Sequence, residues 1–469
     1  MEAEVHLAGM RNRKIAVLCA LALIAFVAGA GSDAENPGMV LVLSGKRVTS
    51  FDRAQAVLRM CRTVASDEHR IRGFRVPFYA PGGSYGANWW QRDHSVAVLG
   101  VKWYDSSDAA RGLDGFADVI RVDGRIPLYG DDVLPQRKGW FSEQSEGVSS
   151  LPAFFRAAHD VAVWRGDRAF ARRMADLSFR YLNWWRQTRG DPKTGLVTAV
   201  FEETFPPYLG NAGECVSPGT CAEVAQGAAL TADLYRRIGD IARERGCRDM
   251  SRSLFRAART HLWSADDAQF RSWDVRTRRF QSADALGFSL LQDPDLPDAI
   301  RNAARAMALG PRYRGTGEFG LTSIARNDVR FKITRGDRYL GNDSWSGMVW
   351  TLINVRIIDS LLASGFDADS VALAKATVRM LEAEDDFYEF YDPTDGKGCG
   401  VKGYAWTAAD YLQIVLGRLL GISYDGFTRE LTVKPRIAED FCVTGVDVSG
   451  KGHATIRQGK GIVTCTFDK

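Results

Sequence analysis

Apolar residues recur every three or four positions along most of the chain after residue 50, and this spacing predicts one α-helix after another. Short polar turns join these helices in pairs, and longer linkers separate the pairs. The twelve predicted helices cover about residues 50–66, 92–104, 107–120, 148–164, 168–187, 221–244, 248–263, 283–291, 296–309, 346–364, 367–384 and 406–420. Six helical hairpins predict an all-α toroid with an inner and an outer ring. An open solenoid of hairpins is the alternative, but the sequence shows no fixed repeat period.

The pattern changes after Ile422, where apolar and polar residues alternate in short runs separated by Gly and Pro. The runs "RELTVKPRI", "VTGVDVSG", "HATIRQ" and "GIVTCTF" are typical of antiparallel strands. The predicted organisation is a short segment at 31–49, a helical toroid at 50–421 and a small C-terminal β element at 422–469.

The N-terminus has the pattern of a targeting segment. Basic residues at 11, 13 and 14 precede the apolar run "IAVLCALALIAFVAGA" at 15–30, which ends in small residues. Residues 1–30 therefore predict a signal peptide, and an uncleaved membrane anchor is the alternative. We expect an extracytoplasmic protein (secreted, periplasmic or lumenal) whose only membrane attachment is through residues 15–30.

Export would place the seven cysteines after Cys19 in an oxidising compartment. The short spacing of Cys215 and Cys221 and the strand-like setting of Cys442 and Cys465 predict these two pairs as disulfides. The cysteines and the six histidines show no metal-binding spacing, so neither a metal nor another cofactor is expected.

The charge balance excludes one class of partner. The chain has 61 Lys and Arg against 57 Asp and Glu, a net charge of +4 without a basic block. Nucleic acid is therefore not an expected partner.

Long loops rich in aromatic and charged residues precede alternate helices of the predicted toroid. They lie at 82–93, 138–147, 200–214, 339–350 and 389–405, whereas the turns within hairpins are short. In a closed toroid, loops at these positions emerge at the same end. We therefore expect the five loops to surround one mouth.

The side chains of these loops suit a neutral, hydroxyl-rich ligand. Tryptophan rings can stack on sugar faces, and Arg92 and Asp93 can bind hydroxyl groups. Glycosidic hydrolysis requires two carboxyl groups, and the loops supply Asp93, Glu143, Glu146, Glu202, Glu203, Glu214, Asp343 and Glu389. Structural alternatives remain, because Arg92 and Asp93 could form an ion pair and Glu143 and Glu146 could stabilise a helix start.

Several of these stretches resemble glycoside hydrolase family 63, which includes processing α-glucosidase and mannosylglycerate hydrolase. Trehalases and glycogen-debranching enzymes are more distant relatives. The similar stretches are "NWWQRDHSVAVLG", "GLTS", "YLGNDSWSGMVWTLIN", "EFYDPTDGKGCGVKGYAWTAADYL" and "GISYDGFTRELTVKPRI", spread over roughly residues 80–435. The resemblance implies an (α/α)6 barrel and an inverting hydrolase of terminal α-linked glucose or mannose.

The resemblance also implies roles for individual residues. Glu389 matches the general base of the family. The family's general acid is an aspartate after a tryptophan, a pair that this sequence lacks, and we assign Glu203 to the role with Glu202 and Glu214 as alternatives. The expected substrate contacts are Trp90, Arg92, Asp93, Glu143, Gln144, Asp343, Trp345, Trp350, Lys402 and Trp406. Ser346, Gly347 and Met348 replace the family's Arg–Gly–Pro, so the substrate contacts are expected to differ there.

The sequence thus predicts an exported, monomeric glycoside hydrolase whose partner is a small oligosaccharide or glycoside. One alternative is a sugar-binding protein that retains the barrel without catalysis. Another is a polysaccharide lyase on the same toroid, for which His94 beside Arg92 is the hint in the sequence.

Overall fold

The computed structural model describes residues 38–63, 75–86, 88–130, 147–205, 212–281, 283–315, 317–334 and 345–468. The predicted signal segment at 1–30 lies outside these ranges. Within them, no helix is both long enough and apolar enough to cross a membrane.

The described part of the chain is mainly helical. Its helices are α1 (Thr49–Cys61), α2 (Gln91–Val101), α3 (Ser106–Asp114), α4 (Phe116–Val119), α5 (Phe154–Arg165), α6 (Arg168–Thr188), α7 (Pro218–Ile238), α8 (Ile241–Leu262), α9 (Asp298–Leu309), α10 (Pro311–Arg314), α11 (Thr351–Ala363), α12 (Asp367–Glu382) and α13 (Ala405–Leu412). Two 3₁₀ helices (Gly83–Tyr85 and Ala285–Gln292) and a π-helix (Gln413–Leu419) complete the set.

Six of these helices form a closed inner ring. Helix α2 contacts α5, α5 contacts α7, and α7 contacts the 3₁₀ helix Ala285–Gln292. The ring continues through α11 and α13 back to α2. Outer helices α3, α6, α8, α9 and α12 each follow an inner helix, and α1 packs on α13. The chain therefore adopts a ring of hairpins rather than an open solenoid.

Local capping residues explain where the helices begin and end. Ser217 caps α7, and Pro218 occupies its first turn. Gly239 ends α7 in the left-handed conformation (φ 84°), and Asp240 caps α8 at once. The turn between these helices is therefore shorter than the sequence pattern predicted.

The predicted C-terminal antiparallel strands are present, but they are not the only β structure of the described residues. The described strands are β1 (Val40–Leu43), β2 (Lys46–Arg47), β3 (Arg62–Thr63), β4 (Phe78–Tyr79), β5 (Ala199–Phe201), β6 (Ala212–Val216), β7 (Trp263–Ser264), β8 (Gln269–Phe270), β9 (Trp273–Asp274), β10 (Tyr388–Tyr391), β11 (Gly398–Lys402), β12 (Ile422–Asp425), β13 (Glu430–Val433), β14 (Phe441–Val448), β15 (Gly452–Gly459) and β16 (Ile462–Phe467). The largest sheet has the order β16-β15-β14-β1-β2, so the N-terminal strands join the C-terminal ones.

Neither predicted disulfide forms, because all seven described cysteines are free thiols. Strand β15 lies between the strands that carry Cys442 and Cys465. Two strand spacings amount to about 10 Å, which is too far for a disulfide. The thiols of Cys215 and Cys221 are buried and each contacts a backbone carbonyl, of Ala199 at 3.6 Å and of Val197 at 3.5 Å.

Candidate active site

Aromatic residues occupy the N-cap positions of three inner helices and mark one end of the ring. Trp90 precedes α2, Trp350 precedes α11 and Tyr404 precedes α13. The ring of Tyr85 lies 6.1 Å from that of Trp90 and 6.0 Å from that of Tyr404. Tyr404 in turn contacts Trp406 at 5.1 Å. The loops before these helices therefore meet at the same end of the ring, as the sequence predicted.

Glu389 lies at this end, held in a β-bulge. Tyr388 pairs with Lys402 and Phe390 with Cys399, so the single residue Glu389 faces two residues of β11. The side chain is 1% exposed. Its Oε1 accepts a hydrogen bond from the Tyr85 hydroxyl at 2.9 Å, and its Oε2 accepts one from the Val401 N–H at 3.3 Å. The bulge thus directs this carboxyl group inward.

Burial raises the pKa of Glu389 to about 7, and the nearby charge of Asp93 adds to this effect. The two hydrogen bonds and the charge of Arg92 act in the opposite direction. At neutral pH the group can therefore both accept and release a proton, which suits an acid or base catalyst.

Arg92 lies in the first turn of α2 at the centre of the site. Its Nη2 donates to Glu202 Oε2 at 3.0 Å, and both side chains are 5% exposed. Its guanidinium carbon lies 5.3 Å from the ring centres of Trp345 and Trp406 and 5.6 Å from that of Phe205. Its buried Nε and Nη1 have no hydrogen-bond partner among the described residues, so two donors remain for a ligand oxygen.

Asp93, next to Arg92, accepts a hydrogen bond from the Tyr404 hydroxyl at 2.8 Å. It does not form the ion pair with Arg92 that was the structural alternative, because Arg92 pairs with Glu202 instead. Burial raises the pKa of Asp93 and also that of Glu202. The charge of Arg92 therefore acts on three buried carboxyl groups, those of Glu202, Asp93 and Glu389, and their burial favours retention of a proton on one of them.

Glu203, the residue predicted as general acid, has all its hydrogen bonds within the protein. Its Oε1 accepts from the Ser149 N–H at 2.9 Å and from Arg189 Nη2 at 2.9 Å. Its Oε2 accepts from Arg189 Nε at 2.7 Å and from the Val200 N–H at 3.1 Å. With 0% exposure, this carboxylate ties the loop before α7 to α6 and is a structural group. The other alternative, Glu214, is exposed and accepts from the Thr198 hydroxyl.

The tryptophans predicted as sugar platforms are part of the core. Trp345 stacks on Trp350 with ring centres 4.0 Å apart and planes 5° apart. Trp350 and Trp406 are fully buried, and Trp345 is 4% exposed. These buried rings therefore pack around Arg92 and fix its position, and they offer little exposed surface to a ligand. Trp90 is partly exposed and stacks on Tyr129 at 4.9 Å.

The structure places Lys402, a predicted substrate contact, outside the buried carboxyl cluster. Its side chain is exposed on the outer face of β11 and pairs with Asp385 at 2.7 Å. Successive residues of a strand point to opposite sides, and Val401 is the one that faces the core. The predicted contacts Glu143, Gln144 and Asp343 lie outside the described residues.

His94, the hint of a lyase, is buried away from a ligand position. Its Nδ1 accepts from the Tyr79 N–H at 3.0 Å, and its Nε2 lies 3.0 Å from the Gly112 carbonyl. Burial lowers the pKa of His94 to about 4. Both ring nitrogens are thus occupied by backbone groups, as expected for a structural histidine.

Tyr85 and Tyr404 were not predicted from the sequence as residues of the site. Each hydroxyl binds a carboxyl group of the site, Glu389 and Asp93 respectively. Both tyrosines lie in the loops that the sequence singled out, "GGSYGANWWQRD" and "KGYAW". Both tyrosines precede an inner helix, as Trp90 and Trp350 do. This shared position in the sequence could have indicated that they belong to the site.

Residues 210–407 match the family profile of the mannosylglycerate hydrolase MGH1-like glycoside hydrolase domain, a stretch that includes Glu389 and Trp406. Over this stretch, which is less than half of the chain, the sequence is similar to glycoside hydrolases of that kind. A mannosylglycerate hydrolase of Rubrobacter radiotolerans is 31% identical over 173 residues, 35% of this chain and 36% of the relative. The match thus covers about a third of the length of that curated relative.

Solved structures share the fold over a larger part of the chain. The GH63 mannosylglycerate hydrolase from Thermus thermophilus in complex with glucose has a TM-score of 0.63 at 19% identity, covering 77% of this chain and 98% of that one. Its complex with Tris and D-glycerate gives a TM-score of 0.62 at 18% identity, covering 77% and 99%. At this level of identity the likeness concerns the fold.

Proposed function

We propose that this chain is a glycoside hydrolase that removes a terminal α-linked mannose or glucose by inversion. The observation that carries the proposal is the buried cluster of Glu389, Glu202 and Asp93 around Arg92. Burial raises the pKa of all three carboxyl groups, so one protonated and one ionised carboxyl can coexist at neutral pH. The (α/α)6 fold of the relatives and their activity as mannosylglycerate hydrolases support the same reaction.

In this mechanism Glu389 is the general base and Glu202 replaces Glu203 as the general acid. Glu389 removes a proton from water while Glu202 protonates the leaving oxygen on the opposite side of the sugar. The hydroxyl of Tyr85 holds the Glu389 carboxylate in place. The free donors of Arg92 and the carboxylate of Asp93 bind sugar hydroxyls.

Sugar release from a panel of α-linked substrates tests the proposal. The panel contains mannosylglycerate, glucosylglycerate, trehalose and aryl α-glycosides. We expect release of mannose or glucose with an inverted anomeric configuration. NMR of the reaction mixture monitors the configuration of the released sugar. Binding without turnover would identify a sugar-binding protein, and an unsaturated product that absorbs ultraviolet light would identify a lyase.

The bulge that holds Glu389 yields a prediction. A Cβ on Gly400 (φ 75°) would lie 2.9 Å from Glu389 Oε2 and 2.5 Å from the Phe390 ring. Gly400→Ala should therefore displace the carboxyl group and lower kcat about tenfold or more, as measured by initial rates. Gly403→Ala is the matched control, because it has a similar φ of 69° but would meet only the end of the Met60 side chain. Equal losses of kcat would contradict the role of the bulge.

We also propose that residues 1–30 direct export. The basic residues followed by the apolar run at 15–30 support this proposal. Fractionation of expressing cells, with N-terminal sequencing of the product, tests it. Protein that retains residue 1 in the cytoplasm would contradict export.

A further inference from the structure

A separate cavity of about 440 Å³ lies beside the helical hairpin of α7 and α8. Its walls come from the middle parts of α7 and α8, together with Arg156 of α5 and Gln292 at the end of the 3₁₀ helix. The carboxyl cluster lies at the N-terminal ends of the inner helices. None of its residues lines the cavity, so the two sites are distinct.

The walls of this cavity carry an excess of positive charge. Arg156, Arg248 and Arg252 line it, and Asp233 is the only acidic residue among its described lining residues. Arg248 is paired with Glu244, which lies outside the lining. Asp233 is already neutralised, because it accepts from His159 at 3.0 Å and also pairs with Arg236 and Arg237. No ion-pair partner for Arg252 is found in the part of the chain that the structure describes.

Two hydrogen-bond donors at this cavity lack a partner among the described residues. Arg156 donates through Nη1 to Asp359 at 2.8 Å and through Nη2 to Gln226 Oε1 at 3.0 Å, whereas its buried Nε donates to none of them. Gln226 is 7% exposed, and its Nε2 is likewise unpartnered there. Buried donors are normally satisfied, so this pair indicates a ligand acceptor.

The charge on Arg156 is also incompletely balanced. Its carboxylate partner, Asp359, is shared with Arg418. Burial and the nearby charge of Arg356 lower the pKa of Arg156, and they outweigh the charges of Asp359, Glu223 and Asp160, which act in the opposite direction. An anion beside Arg156 would therefore be stabilised electrostatically.

The remaining lining residues favour an organic anion over an inorganic one. Leu230, Phe255 and Pro294 supply apolar wall area, and Ser251 adds a hydroxyl group. Ligand sites of this size combine apolar walls with a few polar groups that fix the orientation. A carboxylate or phosphate group at Arg156 would leave the carbon body of the ligand against these apolar side chains.

We propose that this cavity is a second binding site, which takes a small organic anion through Arg156, Gln226 and Arg252. The proposal rests on binding alone and is independent of the reaction at Glu389. Its consequence is that anions should bind the full-length protein even when the carboxyl cluster is disabled by Glu389→Gln.

Calorimetric titration of the full chain at fixed ionic strength tests the site. Benzoate is the carboxylate probe, phenyl phosphate the phosphate probe and benzamide the neutral control. Benzoate or phenyl phosphate should bind at least about tenfold more tightly than benzamide, because charge-assisted hydrogen bonds are stronger than neutral ones. The tighter of the two anions identifies the ligand group. Equal binding of all three compounds, or no binding, would overturn the proposal.

Three substitutions locate the binding. Gln226→Glu preserves the side-chain shape but neutralises Arg156, and it should weaken anion binding at least about tenfold. Arg252→Gln removes an exposed charge and should weaken binding about threefold. Arg256→Gln is the matched control, since Arg256 is exposed one turn further along α8 and does not line the cavity. Equal effects of Arg252→Gln and Arg256→Gln, together with full binding by Gln226→Glu, would mean that the anion binds elsewhere.

Discussion

Glu389→Gln is expected to lower turnover by about a hundredfold or more while substrate binding is retained. The amide keeps the shape of the side chain and can still accept from Tyr85, but it cannot take a proton from water. Initial rates of sugar release measure kcat, and a titration of the variant with substrate measures binding. Azide should partly restore turnover of an α-glycosyl fluoride, because a small anion can replace the activated water.

The pH dependence tests the same assignment. Because Glu389 has a pKa of about 7, kcat/KM of the wild-type protein should fall as the pH drops below about 7. Glu389→Gln should remove this acidic limb from the residual activity. If the variant turned over substrate at a near wild-type rate, or if its kcat/KM still fell below pH 7, Glu389 would have only a structural role in the bulge.

A stability measurement provides the control for folding. A carboxyl group whose pKa is raised on folding contributes stability below its unfolded pKa, and this contribution is lost as the pH rises through the folded pKa. For Glu389 that window extends from its ordinary pKa of 4.5 to about 7. Glu389→Gln should therefore unfold at a higher temperature than the wild type at pH 8 and show little difference at pH 4.

The ring of hairpins could be predicted because its signals are local. Helical periodicity depends on residues three or four apart, and the alternation of long and short loops places the long ones at one end. Glu389 could be found because it lies in such a loop and in a motif of the resembled family. The bulge that aims it depends on Gly400, whose role is visible only once β10 and β11 pair.

The choice between Glu202 and Glu203 could not be made from the sequence. The two residues are adjacent, and the partners that separate them are distant in the chain. Arg189 and Ser149 bind Glu203, while Arg92 binds Glu202. The direction of the Lys402 side chain could not be predicted for a related reason, because it depends on the register of a strand.

Non-local pairing also explains the errors in the β structure. Strand β1 pairs with β14 about four hundred residues later, with Val40 opposite Thr444. No local pattern predicts such a pairing. The same sheet order separates Cys442 from Cys465, whose alternating strand pattern had suggested that they could meet.

Glu202→Gln is expected to lower activity according to the leaving group. A poor leaving group such as an alkoxide needs a proton, so turnover of mannosylglycerate or an alkyl α-glycoside should fall about a hundredfold or more. A dinitrophenolate leaves without a proton, and turnover of the dinitrophenyl glycoside should fall much less. The ratio of the two losses, measured as kcat/KM, reports the role of the acid.

Glu203→Gln is the matched control for this experiment. It weakens the pairing with Arg189, which joins the loop before α7 to α6, so it should lower the unfolding temperature. Its effect on activity should be similar for both leaving groups, because both Glu203 oxygens are bound by Arg189 and by backbone N–H groups. The opposite pattern would be a loss that depends on the leaving group for Glu203→Gln and equal losses for Glu202→Gln. That result would assign the role of general acid to Glu203. Glu202 would then be a binding group that positions Arg92.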